Sequence, residues 1–216
     1  MRSKFDHQLL ELNNDLIVMG SLCEDIIKKS LHSIIDTDAL VMNEIIKTNQ
    51  QIEQLEREIE GRCLKLLLRQ QPVAKDLLNI SAALKMVYDL KRIGAQSTEI
   101  ADIVSQNHIQ TSEDLRSIRH MSTDVIAMVT DSIDAFVNQD ADLAHQVIEK
   151  DSQVDREFDR MKAVLIEYFS QKVSDGEHAI DLLMIAKYIE RIGDHAVNVA
   201  KWVLFSLTGE FYGGET

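Results

Sequence analysis

The chain has 216 residues, 45% hydrophobic and 27% charged, with only one proline and eight glycines. That balance is the one expected of a soluble globular protein, and the shortage of turn residues sets aside an all-β architecture, which needs a turn every few positions. A formal net charge of −13 argues against a nucleic-acid binder and against unassisted docking on anionic lipid, both of which need a basic face, and leaves cations and basic protein surfaces as partners.

Apolar residues recur at helical spacing almost throughout. The pattern predicts a first helix from Phe5 to Ile35, after which Asp36-Thr-Asp38 supplies side-chain oxygens to cap the next helix. A second helix runs from Ala39 to Arg69 and stops at Gln70-Gln-Pro-Val, because Pro72 has no amide hydrogen and disfavours helical geometry in the residue before it. A third runs from Ala74 to Gln106. The series then repeats: Ser112 to Val137, a cap at Asp140, Ala141 to Gln171, a turn at Ser174-Asp-Gly176, and Glu177 to Leu207. Helices of about 30 residues are roughly 45 Å long, and short connections make successive ones antiparallel neighbours.

The repetition extends to residue identity. Ile46-Lys-Thr-Asn-Gln-Gln-Ile-Glu53 returns as Ile148-Glu-Lys-Asp-Ser-Gln-Val-Asp155 at a shift of 102, and Leu90-Lys-Arg-Ile-Gly94 returns as Ile189-Glu-Arg-Ile-Gly193 at a shift of 99. A unit this long exceeds the roughly 20–50-residue period of solenoid repeats. It reads as a duplicated domain, with halves 1–108 and 109–216. The expected fold is all-α, two tandem three-helix bundles packed into one elongated body, so that a site built in one half has a counterpart in the other.

The last helix carries the clearest pattern. Ile185, Ile189, Ile192, Ala196, Val199 and Val203 form a narrow apolar stripe, and Glu190, Asp194, Asn198 and Lys201 lie on the opposite side of the wheel. Glu190, Asp194 and Asn198 are spaced by four, so their oxygens rise from one face and suit a hard or borderline cation. The same acid spacing at Glu11/Asp15, Asp151/Asp155, Asp155/Asp159 and Glu177/Asp181 shows how freely an acidic helical protein makes such pairs, and most of them read as a solvated face. Gly94 and Gly193 stand at matching places inside helices, where glycine costs about 0.5–1 kcal/mol relative to alanine. Close approach of a neighbouring helix offsets that cost more simply than a ligand near the backbone does.

In the first half, Lys91 stands where Glu190 stands and Ala95 where Asp194 stands. Asp89, Glu99 and Asp102 retain some oxygen ligands there as a degenerate site, but the lysine places a positive charge where a cation would sit. His195 reads as a surface residue. No His-Glu-x-x-His or Glu-x-x-His spacing occurs, which counts against a metal-dependent oxidase or hydrolase on a helical bundle. A purely structural helical scaffold without metal is the other alternative. No phosphate loop or nucleophile elbow is present. Cys23 and Cys63 lie within helical patterns and read as buried hydrophobes. No run of about 18 apolar residues marks a membrane span, and the start of the chain enters an amphipathic pattern rather than a signal core, so the chain reads as cytoplasmic.

Tyr188-Ile-Glu-Arg-Ile-Gly-Asp-His-Ala-Val-Asn-Val-Ala200 resembles the signature of the PhoU family of phosphate-transport regulators. Phe5-Asp, Gln70-Gln-Pro-Val-Ala-Lys-Asp-Leu77, Ala82-Ala-Leu-Lys85 and the duplicated plan extend the likeness over the whole chain. The resemblance implies a cytoplasmic, non-enzymatic adaptor between the ATPase of a high-affinity phosphate ABC transporter and a membrane sensor histidine kinase, restraining phosphate-starvation signalling when phosphate is plentiful. It also implies homodimers and multinuclear, carboxylate-bound iron or zinc on the third helix of each half. Glu190 and Asp194 match the implied metal motif; Lys91 and Ala95 depart from it, and Asn49 stands where the family usually has aspartate.

Overall fold

A computed structural model describes residues 2–34, 39–69, 73–106, 115–171 and 176–212. Among them are six α-helices and no strand: α1 Arg2–His32, α2 Ala39–Arg69, α3 Ala74–Gln106, α4 Leu115–Asn138, α5 Ala141–Gln171 and α6 Gly176–Thr208. The expected α2, α3 and α5 coincide with the observed ones. α1 begins and ends three residues earlier than the apolar pattern suggested, closing into a turn in which the Ser33 N–H donates to Lys29 O. The cap at Asp140 is as expected, its Oδ1 accepting from the Leu143 N–H at 2.9 Å. Asp36–Asp38, Gln70–Pro72 and Ser174–Asp175 lie outside the described residues.

Each half is a three-helix bundle, α1–α2–α3 and α4–α5–α6, and the halves join along α3 against α6 and α1 against α4. Among the described residues, α2 touches only α1 and α3, and α5 only α4 and α6. That layout follows from how wide each apolar face is. On α2 the buried apolar residues Ile45, Ile52, Ile59 and Leu66 recur every seventh position, joined by Cys63, a single seam suited to one groove. Val147, Val154 and Met161 repeat this on α5. On α3 and α6 burial also takes in Ala82, Ala83, Ala101, Ala186, Ala196 and Ala200, a face broad enough to meet neighbours on two sides. Ile185, Ile189, Ile192, Ala196, Val199 and Val203 are all at most 1% exposed, as their spacing required.

α3 and α6 run antiparallel. The Lys85 ammonium lies 6.0 Å over the Trp202 ring, Asp89 meets His195, and Leu78 lies against Gly209. The two cysteines are buried and free. The Cys23 thiol donates to Leu90 O at 3.3 Å, and burial raises the Cys63 thiol to about 12, so neither serves as a thiolate at neutral pH. No described helix is long and apolar enough to cross a membrane.

Candidate functional site

The carboxylates on α6 face a second acidic pair on α5. Asp151 and Asp155 flank the buried Val154, and that valine directs them toward α6. Burial, first, and then the charges of Asp155, Asp194 and Glu190 push the Asp151 carboxyl up to about 6, with Lys201 pulling the other way. Asp194 keeps solvent on one side, yet partial desolvation and then Glu190 raise its carboxyl, against Lys187; Asp155 adds to the rise. Asp151 and Asp194 therefore carry their charge at a cost, set by burial and by the neighbouring acids of the two helices. Asp151 Oδ1 is buried without a hydrogen-bond partner and sits 3.5 Å from the position a Cβ on Gly193 would take.

Lys187 partly neutralises this cluster. Its ammonium donates to Glu190 Oε1 at 2.6 Å and also contacts Oε2, while lying 5.2 Å over the Phe158 ring of α5. The Glu190 side chain is only 12% exposed. Among the described residues no three His, Cys, Asp or Glu side chains stand close enough, as placed, to hold one ion. The donor set nevertheless fits a cation in its chemistry: clustered carboxylates, a mutually repelling charge and one orphaned buried oxygen. Bringing the oxygens onto an ion requires Glu190 to turn away from Lys187.

A model of the PhoU domain matches the chain twice, at residues 16–104 and 118–203. The chain belongs to the PhoU family. The phosphate-specific transport system accessory protein PhoU homologue of Pseudomonas putida is 33% identical over 95% of this chain and 81% of its own length. Its Clostridium acetobutylicum counterpart is 33% identical over 97% and 96%. The crystal structure of PhoU from Pseudomonas aeruginosa superposes with a TM-score of 0.90 at 32% identity, covering 95% of this chain and all of that one. The phosphate transport system regulatory protein PhoU from Streptococcus pneumoniae gives 0.89 at 25% identity, covering 97% of this chain.

Several residues of this PhoU chain lie elsewhere than the helical wheel suggested. Asn198 does not extend the ligand row of Glu190 and Asp194: its Nδ2 donates to Asp89 Oδ1 of α3 at 3.3 Å. His195 is not a surface residue. Its Nδ1 lies 2.8 Å from the same Asp89 oxygen, with its side chain 18% exposed, and the acceptor-only carboxylate places the proton on Nδ1. Asp89, buried in the seam, is thereby engaged with α6. Glu99 stands beside Tyr188 of α6, whose hydroxyl is raised first by burial and then by Glu99. Asp89 and Glu99 are about 15 Å apart along the helix axis, so Asp89, Glu99 and Asp102 do not gather around one ion.

Asp151 and Asp155 carry an acid spacing that, by itself, reads as a solvated face. Their position either side of Val154 in the α5 seven-residue seam was the signal for them. A cavity of about 340 Å³ between the end of α1 and the start of α4, lined by Leu31, Ile34, Ile118 and Ile126 among others, contains none of these acids.

Proposed function

We propose that this chain is a non-enzymatic accessory protein of a phosphate transport system. In this reading it acts on the cytoplasmic side, between the transporter ATPase and a sensor histidine kinase, and restrains the phosphate-starvation response when phosphate is plentiful. The observation that carries the reading is the likeness to PhoU proteins over nearly the entire chain, in both repeats and at matched architecture. Deleting the gene is expected to leave phosphate-uptake genes switched on in phosphate-rich medium. Expression that stays repressed in the deletion strain, with no second PhoU present, overturns the regulatory reading.

The same proposal assigns a metal to the second repeat, held by Asp151, Asp155, Glu190 and Asp194. The support is the orphaned Asp151 oxygen and the raised carboxyls of Asp151 and Asp194 beside two further acids, a crowding that a divalent or trivalent cation would relieve. Iron and zinc are the ions the family resemblance suggests, and oxygen donors accept both. The metal would tie α5 to α6 and set the shape of the outer surface there. Elemental analysis of protein purified without a histidine tag is expected to find iron, zinc, manganese or nickel. Less than about a tenth of an equivalent of any of them rules the metal out.

A further inference from the structure

The metal reading of the second repeat has a counterpart to be accounted for in the first. By the two shifts that relate the repeats, Asn49 stands for Asp151, Glu53 for Asp155, Lys91 for Glu190 and Ala95 for Asp194. The frames match in detail. Asn49 Oδ1 lies against Gly94 as Asp151 Oδ1 lies against Gly193, at 2.8 Å and 3.5 Å from the Cβ positions, and both oxygens are buried without a partner. What differs is charge. The formal charge of the four positions is −4 in the second repeat, offset in part by Lys187 on Glu190, and zero in the first, where Tyr88 stands for Lys187.

The first repeat carries its own cation. Lys91 Nζ lies 2.8 Å from Glu56 Oε1, a carboxylate whose side chain is only 8% exposed. Glu53 and Glu60 are near enough to favour the charged ammonium as well, and Asn49 Nδ2 donates to Glu53 Oε1 at 3.4 Å. In the second repeat Phe158 occupies the position of Glu56. The acid that α3 lacks has moved to α2, and the positive charge between the helices is covalently attached.

We infer that Lys91 is a tethered cation: its ammonium takes, in the first repeat, the place proposed for a metal ion in the second, so that each chain loads metal on one repeat only. An ammonium is a compact point charge with three donors, and it satisfies buried carboxylates without coordination chemistry. With Lys91 in the place of Glu190, Ala95 in that of Asp194 and Asn49 in that of Asp151, the carboxylates left around Lys91 are already answered by its ammonium and do not draw in a metal ion. The α2–α3 contact is therefore permanent, whereas the α5–α6 contact answers to metal supply. This inference rests on the metal reading for its stoichiometry, but the role of Lys91 is testable apart from it.

The experiment uses the full chain, stripped with chelator and reloaded with Mn²⁺ or Zn²⁺, with bound metal counted by mass spectrometry. Asp151→Asn combined with Asp194→Asn is expected to lose at least about nine-tenths of the metal of the wild type. Retention of more than about half places metal in the first repeat and overturns the inference. Asn49→Asp, Lys91→Glu and Ala95→Asp together are expected to raise bound metal about twofold; a folded triple variant with unchanged loading overturns it.

Lys91→Met supplies the independent reading. It strands Glu56, so the melting temperature falls, and Mn²⁺ is expected to restore more than about half of that loss. No recovery makes Lys91 an ordinary ion pair and overturns the inference. Recovery in a protein whose wild type binds no metal would sink the second-repeat site and keep the tethered cation.

Discussion

Asp89 on α3 and His195 on α6 lie 2.8 Å apart, joining the two repeats through a side chain buried in their common seam. Asn198 Nδ2 donates to the same oxygen. Replacing Asp89 with alanine leaves two donors in the seam without their acceptor, which costs about 1–3 kcal/mol. His195→Ala and Asp89→Ala are expected to be non-additive, with a coupling energy of about 1 kcal/mol in a denaturant-unfolding cycle. Additive losses would mean that the pair contributes nothing beyond packing.

The matched glycines of the two repeats, Gly94 and Gly193, are expected to respond oppositely to alanine. A Cβ at Gly94 meets Asn49 Oδ1 at 2.8 Å and Ile52 Cδ1 at 3.0 Å, and α2 cannot yield without moving Ile52, which is fully buried. Gly94→Ala is therefore expected to destabilise by about 1–3 kcal/mol. At Gly193 the nearest atoms are 3.5 Å away, ordinary contacts, and Gly193→Ala in metal-free protein is expected to gain up to about 1 kcal/mol from helix propensity. Thermal or urea unfolding of the two variants decides the matter, and equal losses would contradict the geometry.

Chelator-treated protein is expected to become more stable as pH falls from 7 towards 5. The Asp151 carboxyl is raised from 3.8 to about 6, so the folded state binds a proton more readily than the unfolded one. The stabilisation is fully present below the unfolded value and is lost as pH rises through the folded one, on the order of 1–2 kcal/mol. Asp194 shifts in the same direction. Asp151→Asn is expected to stabilise the metal-free protein at pH 7 and flatten this slope. A wild-type slope of the opposite sign between pH 5 and 7, shared by the variant, would show that burial does not strain this carboxyl.

Gln139 closes α4 with φ of 54°, a left-handed conformation that glycine adopts more cheaply. The Asp140 N–H reaches back to Ala135 O at 2.9 Å to complete the cap. Gln139→Gly is expected to stabilise the protein by about 0.5–1 kcal/mol, less the exposed contact from Lys75 to Gln139 Oε1. A calorimetric melting temperature that falls would show that this contact outweighs the backbone strain.

Much of the fold was legible in the chain itself. Ile45, Ile52, Ile59 and Leu66 announce one buried seam on α2, and Ile185 to Val203 announce the core face of α6, because side-chain period follows directly from helix geometry. The site was half legible. Glu190 and Asp194 showed through their spacing, whereas Asp151 and Asp155 looked like any other acid pair on an acidic helix. Spacing places oxygens on a face; it does not say whether that face meets solvent or another helix.

The amino-acid order alone thus determined six helices, their duplication and the acid-for-lysine exchange between Glu190 and Lys91. Only tertiary packing decided that α3 lies against α6, that His195 and Asn198 turn to Asp89, and that Glu56 rather than an α3 acid answers Lys91. The physical reason is range: helix periodicity acts within a few residues, while these pairings depend on which broad faces find each other across about a hundred residues of chain.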